Sequence, residues 1–280
     1  MSRLAVHDAA RQRTRRAPGD DGADPDFVAG AARCLHVLEA FTPELPTLGN
    51  GEIAERSGLA KSTVSRLTAT LAALGYLVFE PATQRYRLGM ATLSLARSFL
   101  GGRGIRALAR PHMEALALRF RAPVALAERD GLEMVYLEYC DGQAIVLVPR
   151  TIGSRVALPT SAAGRAWLAV AQEPELSVVV QQLRERGGPG TRGKALPTLL
   201  ATARADLAAF GFARSYGDLQ PEVNAVAVPL VSPVDGSRAV FNLAAPAALV
   251  DAERFDRELG PALAATVAAV LDTLVAGRPR

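Results

Sequence analysis

The chain has 280 residues, of which 49% are apolar, and this is enough apolar material for two domains with cores of their own. No uncharged apolar run reaches the roughly 18 residues of a membrane-spanning helix, and the first 26 residues lack the apolar core of a secretory signal, so we expect a cytoplasmic protein without a membrane partner. Two cysteines, Cys34 and Cys140, fit a reducing compartment, and a formal net charge of +4 is too small to identify a polyanionic partner by itself.

Residues 1–26 are predicted to be a disordered tail. They contain five Arg and five Asp together with Gly and Pro, and they offer little apolar surface for burial. An arm that contacts DNA phosphates is the alternative, since the first half of the tail is basic.

Residues 27–88 show the pattern of three helices and a hairpin. Apolar spacings of three and four predict a helix over residues 27–42, which Pro43 ends. The short helix "EIAERSG" ends at Gly58, and a longer helix follows until Gly75. "YLVFEPATQRYRLG" then predicts two short strands around a Pro-Ala-Thr-Gln turn. The predicted apolar face of the longer helix consists of Val64, Leu67, Leu71 and Leu74.

The spacing of Ala54, Gly58 and Val64 is that of a tight helix-turn-helix. The alanine lets two helices approach, the glycine adopts a positive φ at the turn, and the valine packs the helices together. With the hairpin as a wing, residues 27–88 form a predicted winged helix-turn-helix domain, although helical hairpins of ordinary cores share this pattern.

The polar first turn of the second helix of this motif favours DNA binding. In such motifs this turn reaches base edges in the major groove, where Arg66 can form a bidentate hydrogen bond with guanine. Lys61 can bind a phosphate of the DNA backbone. The predicted DNA-contacting residues are Lys61, Ser62, Thr63, Ser65 and Arg66 of the helix, and Gln84, Arg85 and Arg87 of the wing.

The remaining sequence predicts a linker helix over residues 89–104 and an α+β domain with an antiparallel sheet over residues 105–280. "IRALARPHMEALALRF" is helical, with Pro111 tolerable only near a first turn or at a kink. Three strand-like runs separated by Asp-Gly turns follow, then the helices "SAAGRAWLAVA" and "TLLATARADLAAFGF", two more strands around an Asp-Gly turn, and a closing helix over residues 251–275. We find no internal repeats.

The second domain is large enough to be catalytic, and an enzyme or a ligand sensor without DNA binding is the alternative function. The residues argue against catalysis, because His7, His36 and His112 are scattered and no nucleophile elbow, P-loop or dinucleotide motif is present. The acidic residues near strand ends and turns are interpreted as solvated; they are Asp130, Glu133, Glu138 and Asp141.

From about Phe27 to its C terminus the sequence resembles the IclR-type bacterial transcriptional regulators. The first domain is similar through "EIAERSGLAKSTVSRLTATLAALGYL" and "QRYRLG", and the second through "IGSRVALPTSAAGRAWLA", "GFARSYGDLQPEVNAVAVPL" and "FNLAAP". The resemblance implies a GAF-like effector-binding domain, a helical linker, dimerisation through the DNA-binding half and often a dimer of dimers. It thus implies a ligand-responsive regulator that binds double-stranded DNA and controls a catabolic operon. No cofactor or metal is expected.

The resemblance also implies where an effector binds. The family often has hydroxyl residues where this chain has Asn242 and Ala244, and an acidic residue where it has Ser215. The known effectors of the family are therefore not assigned to this chain. From the residues alone, strand residues such as Val148 and Val223 line a small apolar cavity or simply belong to the core. Carried over by motif, the pocket lining is Ile145, Val148, Val156, Ala162, Ala163, Ser215, Val223, Ala225, Asn242 and Ala244.

The segment "PTSAAGRAWLA" predicts an anion site at the start of a helix. Thr160 or Ser161 is the N-cap, and the N–H groups of the next three residues lack helical partners. A carboxylate fits there, and Asn242 is placed to bond a hydroxyl or keto oxygen of an aromatic or short aliphatic acid. The alternative is a helix end capped by its own loop.

Overall fold

The computed structural model describes residues 27–144, 150–188, 190–191, 195–233 and 236–276. The chain divides into two units, one up to Gly102 and the other from Arg103 onward, and each has its own hydrophobic core. The tail predicted at residues 1–26 lies outside the described residues.

The first unit contains three helices and a small sheet. The helices are α1 (Ala29–Glu39), α2 (Asn50–Ser57) and α3 (Lys61–Ala73), and the strands are β1 (Thr47–Leu48), β2 (Leu77–Glu80) and β3 (Arg85–Leu88). The sheet is antiparallel with the order β1–β3–β2. The sequence predicted a loop at β1, because two residues are too few to show a strand pattern. Helix α4 (Met90–Gly101) follows, and each of its residues is at least partly exposed.

The core of the first unit forms where α1, α2 and α3 meet the sheet, and it confirms the helix-turn-helix spacing. Ala54 and Val64 are buried, and Gly58 adopts a φ of +69° that reverses the chain between α2 and α3. Thr68, also buried, donates its hydroxyl proton to the Val64 carbonyl. Leu74, predicted on the buried face, is 62% exposed. It is the C-cap of α3 and lies at the edge of the buried stripe of Val64, Thr68 and Leu71.

The second unit contains six strands and six helices among its described residues. Pro111 lies well inside its first helix and not near the first turn. No element was predicted at β6 (Arg155–Ala157), α7 (Glu175–Arg186) or β7 (Ala213–Tyr216), and the third predicted strand-like run falls largely on residues 145–149, outside the described part of the chain. The elements are α5 (Gly104–Phe120), β4 (Val124–Asp130), β5 (Glu133–Cys140), β6 (Arg155–Ala157), α6 (Ala162–Val170), α7 (Glu175–Arg186), α8 (Ala195–Phe210), β7 (Ala213–Tyr216), β8 (Val223–Val231), β9 (Arg238–Pro246), α9 (Ala252–Arg254), a π-helical turn (Phe255–Leu259) and α10 (Gly260–Ala276).

The antiparallel sheet of the second unit has the order β6–β5–β4–β9–β8–β7 and carries helices on both faces. Side chains alternate between the faces along each strand. Val124 and Leu126 of β4 pack in one core with α5 and α10, whereas Ala125 and Ala127 pack in a second core with α6. The fold is therefore α+β, with the sheet buried between two helical layers.

The sheet is strongly curved. Ala157 ends edge strand β6, and only three residues later the Thr160 carbonyl accepts a hydrogen bond of 2.7 Å from Ser215 on the opposite edge strand, β7. Three residues span about 11 Å at most, whereas the edges of a flat six-stranded sheet lie about 24 Å apart. The curvature creates a concave face, and α6 begins on it.

The segment Ala252–Ala276 is long and apolar enough by length and composition to cross a membrane. Its side chains Phe255, Leu263 and Val267 are buried in the core shared with α5 and the sheet. Of the most apolar stretch of this segment, 28% is buried.

Candidate functional site

Helix α3 presents an uncapped N terminus. Its N-cap is Ala60, which makes no side-chain hydrogen bond to the helix, and the first turn has no acidic residue. Within the helix the first backbone hydrogen bond is donated by Val64 to the Ala60 carbonyl, so the N–H groups of Lys61, Ser62 and Thr63 have no intrahelical partners. Together with the helix dipole, these groups favour an anion at this end of α3.

The predicted base-reading residues lie on the solvent side of α3. Lys61, Ser62, Ser65 and Arg66 are exposed and Thr63 is half-buried, whereas the opposite side of the helix packs in the core. Among the described residues, the Arg66 guanidinium has no hydrogen bond or ion pair. Its planar fork of donors is therefore available to an external partner.

The wing places its two arginines in different surroundings. Gln84, at φ +56°, closes the exposed turn and donates its amide to the Pro81 carbonyl at 3.0 Å. Arg87 is exposed on β3. Arg85 instead donates to the Thr47 carbonyl at 2.8 Å and forms an ion pair of 2.8 Å with Glu52.

Glu52 binds both the start of α2 and the side chain of Arg85. Its carboxylate accepts the Gly49 N–H at 2.7 Å, and this backbone hydrogen bond, followed by the bond from Arg85, lowers the pKa of Glu52. Arg85 is thus engaged inside the unit, and the sequence pattern did not show this because its partners lie 33 and 38 residues away.

A cavity lies on the concave face of the second unit, at the start of α6. Its open volume is about 740 Å³, with the solvent at its mouth included. Its floor is made of small side chains that are neighbours in the sheet, because Ala125 pairs with Asn242 and Ala225 pairs with Ala244. The lining is Pro123, Ala125, Tyr136, Tyr139, Arg150, Ser161, Ala162, Ser215, Leu219, Gln220, Val223, Ala225, Asn242, Ala244, Ala245 and Pro246.

Among the described residues that line the cavity, Arg150 is the one basic side chain and none is acidic. Arg150 donates to the Arg155 carbonyl at 3.2 Å and has no carboxylate partner in the part of the chain that the structure describes. Asn242 is only 5% exposed, and its amide makes no hydrogen bond to the described residues. Ser215, by contrast, already donates its proton to the Thr160 carbonyl.

Two tyrosines form one wall of the cavity. The rings of Tyr136 and Tyr139 are nearly parallel, with an interplanar angle of 16° and centroids 6.3 Å apart. Burial raises the pKa of Tyr136 to about 12 and also raises the pKa of Tyr139. Both phenols are therefore neutral donors and acceptors near neutral pH.

The N terminus of α6 confirms Ser161 as the N-cap. The Ser161 hydroxyl accepts the Gly164 N–H at 3.0 Å and donates to the Ala157 carbonyl at 2.6 Å. The predicted cap therefore takes up the Gly164 N–H, and this group is not available to an anion. A Cβ on Gly164 would lie 2.1 Å from the Leu158 carbonyl oxygen, so only glycine lets α6 start this close to the preceding loop.

Not all the predicted effector residues line the cavity. Val156 of β6 and Ala163 of α6 lie in the hydrophobic core with Trp167. One helical step of about 100° turns Ala163 away from the cavity that Ala162 lines. Ile145 and Val148 lie outside the described residues. The predicted residues that do line it are Ser161, Ala162, Ser215, Val223, Ala225, Asn242 and Ala244.

Neither the tyrosine wall nor Arg150 was predicted from the sequence. Strict alternation along β5 would place Tyr136 and Tyr139 on opposite faces of the sheet. A β-bulge shifts the register between Leu126 and Ala127 of β4, so that Tyr136 pairs with Ala127 and Tyr139 with Ala125 on one face. The sequence carries no clear signal of this bulge.

The acidic residues interpreted as solvated are largely ion-paired. Glu138 is 2% exposed and accepts hydrogen bonds from Arg106 at 2.8 Å and Arg110 at 3.1 Å, so its interpretation as solvated is wrong. Asp130 and Glu133 both pair with Arg155. Among the described residues no three His, Cys, Asp or Glu side chains are grouped for a metal ion, and the expected absence of a metal stays a prediction.

Alkaline pH is expected to destabilise the second unit through Tyr136. Its pKa is about 12 when folded and about 10 in an unfolded chain, so its contribution to stability is present below pH 10 and is lost between about pH 10 and 12. Denaturant unfolding followed by circular dichroism should show the unfolding free energy falling less steeply over this range in Tyr136→Phe than in the wild type. Equal slopes for the two proteins would refute this assignment.

Both units match models of known protein families. Residues 30–81 match the model described as IclR helix-turn-helix domain, and residues 97–271 match the model described as Bacterial transcriptional regulator IclR C-terminal.

Similar proteins cover nearly the whole chain. The HTH-type transcriptional regulator TsaQ1/TsaQ2 of Comamonas testosteroni is 32% identical over 255 residues, which are 90% of this chain and 91% of that protein. The crystal structure of an IclR family transcriptional regulator from Brucella abortus is 38% identical, with a TM-score of 0.79 over 93% of this chain and 99% of that one. An IclR homologue from Microbacterium hydrocarbonoxydans, crystallised with 4-hydroxybenzoate, is 25% identical, with a TM-score of 0.68 over 87% and 99% of the two chains.

Proposed function

Because the chain belongs to the IclR family of bacterial transcriptional regulators, we propose that it binds an operator through α3 and the wing and responds to a small organic acid held in the cavity of its second unit. The observation that carries the proposal is the uncapped, cation-bearing N terminus of α3, with Arg66 free of any partner among the described residues.

The recognition mode follows from the chemistry of α3. The helix lies in the major groove, and the Arg66 fork bonds the two acceptors of a guanine edge. Lys61 and the free N–H groups at the helix start hold phosphates, which fixes the register on the duplex. Ser62, Thr63 and Ser65 supply hydroxyls to bases or phosphates, and Gln84 and Arg87 of the wing contact the backbone or the adjacent minor groove.

The protein binds DNA as a symmetric oligomer in this proposal. One recognition helix reads too few base pairs to find an operator among the competing sites of a genome. Two-fold pairing doubles the readout and requires a near-palindromic site. The exposed apolar side chains of α4 support a homodimer, or a dimer of dimers, that forms through the DNA-binding half; they are Met90, Leu93, Leu95 and Phe99.

The effector is a small organic acid in this proposal. The α6 N terminus contributes the Ala162 N–H and the positive end of a helix dipole to the cavity. The alanine floor and Val223 suit a small carbon skeleton. The homologue crystallised with 4-hydroxybenzoate supports this ligand class. A regulator that senses such a carbon source controls a catabolic operon in the cytoplasm, and its cavity performs binding without catalysis.

Electrophoretic retardation of DNA from upstream of the protein's own gene tests the proposal. We expect retardation of this fragment in excess competitor DNA, and footprints on two half-sites about one helical turn of 10–10.5 base pairs apart. Retardation that unrelated DNA of equal length competes away at the same concentration would contradict sequence-specific binding.

The two wing arginines are expected to differ in a salt titration. Arg87→Ala should weaken binding to all DNA sequences and lower the slope of log affinity against log salt by about one charge. Arg85→Ala serves as the matched variant, because its side chain pairs internally with Glu52 and its loss should mainly lower the melting temperature of the first unit. Fluorescence anisotropy at several salt concentrations measures the slopes. An unchanged slope in Arg87→Ala would show that Arg87 does not contact a phosphate.

A further inference from the structure

We propose that Glu52 of α2 keeps Arg85 of the wing from binding DNA phosphates, and that it thereby limits the affinity of the protein for DNA of any sequence. This inference rests on the proposed function, because it concerns the strength of the same DNA contact. It gives Glu52 a role in DNA binding in addition to its place in the fold of the first unit.

The two arginines of the wing lie on one face of β3 but differ in their partners. Arg85 and Arg87 are two residues apart in the strand, so the alternation of side chains places them on the same face. Arg87 is exposed and has no hydrogen bond or ion pair to the described residues. Arg85 meets the Glu52 carboxylate, with its Nη2 atom 2.8 Å from Oε2 and 3.0 Å from Oε1. One of the two cations is therefore neutralised within the protein.

The Glu52–Arg85 pair is fixed by neighbouring groups and lies at the surface. The Glu52 carboxylate also accepts the Gly49 N–H at 2.7 Å. Arg85 donates from Nε to the Thr47 hydroxyl at 3.2 Å and from Nη2 to the Thr47 carbonyl at 2.8 Å. The side chains of Arg85 and Glu52 are 36% and 47% exposed. A duplex can therefore approach both charges.

The position of Glu52 on α2 makes its charge relevant to DNA. The helix that precedes the recognition helix in this motif crosses the DNA backbone, and a carboxylate there repels phosphates unless a cation balances it. Without the charge of Glu52, Arg85 would keep its bonds to Thr47 and its positive charge would be unbalanced. Its Nη1 atom makes no hydrogen bond to the described residues, and a guanidinium with free donors binds phosphate well.

One additional cation is a large change for this unit. Residues 27–88 contain six basic and five acidic residues, so their net charge is only +1. Binding to DNA of arbitrary sequence is almost wholly electrostatic, and its salt dependence rises with the number of phosphates that the protein neutralises. The state of Arg85 is therefore measurable as the slope of log affinity against log salt.

Fluorescence anisotropy of the full-length protein with a labelled random-sequence duplex tests the inference. Glu52→Gln removes the charge but keeps an oxygen that can accept the Gly49 N–H, as glutamine does in capping boxes. We expect its slope to be steeper than that of the wild type by about 0.9 per protomer. Its gain in affinity over the wild type should then be about 3.5-fold larger at 50 mM than at 200 mM salt for each protomer bound.

Matched variants separate the release of Arg85 from a simple loss of negative charge. Glu55→Gln removes the same charge from the same helix, and Glu55 is exposed without a partner among the described residues, so its slope should stay near that of the wild type. Arg85→Ala should also leave the slope unchanged. Added to Glu52→Gln, it should return the slope to the wild-type value. Thermal melting followed by circular dichroism shows that each variant is folded.

The inference and the proposed function fail in different ways. A wild-type slope in Glu52→Gln, an equal increase in Glu55→Gln, or a slope that stays steep in the double variant would each overturn the inference while DNA binding stands. Absence of binding by the wild type to any duplex would overturn the proposed function and the inference together.

Discussion

Replacing Arg66 with alanine is expected to weaken operator binding by about 2–6 kcal/mol, because each base-reading fork contributes about 1–3 kcal/mol of discrimination and a two-fold complex contains two of them. The guanidinium is exposed at the start of α3 and has no partner among the described residues, so its removal leaves the fold of the first unit intact. Competition anisotropy with operator and unrelated DNA measures the loss.

The contrast between DNA sequences decides the role of Arg66. On unrelated DNA the loss should be much smaller, since only one phosphate attraction per protomer is removed. Arg66→Lys keeps the charge without the planar fork, and it should lose most of the operator preference while it retains nonspecific binding. Equal losses on both kinds of DNA would make Arg66 a phosphate contact only.

Replacing Trp167 with alanine is expected to destabilise the second unit by about 3–5 kcal/mol. Trp167 is 2% exposed in the core beneath α6, and Arg129 and Arg238 lie over its ring at 4.6 and 5.4 Å from the centroid. Both arginines also pair with Glu175 of α7. The substitution therefore leaves a cavity and removes the surface on which this ion-pair cluster rests.

Denaturant unfolding followed by circular dichroism measures this effect. Trp167→Phe is the matched control, because it keeps an aromatic ring and most of the buried area, and it should lose far less stability. The first unit has its own core, so its transition should stay in place. A Trp167→Ala protein within about 1 kcal/mol of the wild type, near the average cost of a point mutation, would show that this ring does not hold α6 in position.

The helix-turn-helix was predictable because its signals are local. Ala54, Gly58 and Val64 lie within eleven positions of sequence and determine one turn, and the structure places them as the spacing requires. Helix α7 has a local signal too, in the buried spacing of Leu176, Val179 and Leu183, although it was not predicted.

The cavity was only partly predictable because its lining depends on tertiary structure. The bulge in β5 that brings Tyr136 beside Tyr139 arises from pairing with β4, and the turn of α6 that separates Ala162 from Ala163 is set by its packing on the sheet. The internal ion pair of Arg85 likewise depends on distant residues. Sequence spacing shows which residue types are present, and the packed structure decides where they point.

Operator affinity measured with and without a saturating effector tests the central claim that the two units act together. A thermal-shift screen of small organic acids identifies the effector, and fluorescence anisotropy measures the operator Kd at fixed salt. The account predicts that the effector shifts the operator Kd by roughly 5- to 150-fold, and that operator DNA shifts the effector Kd by the same factor, as thermodynamic linkage requires. An operator Kd that stays the same at saturating effector would contradict it.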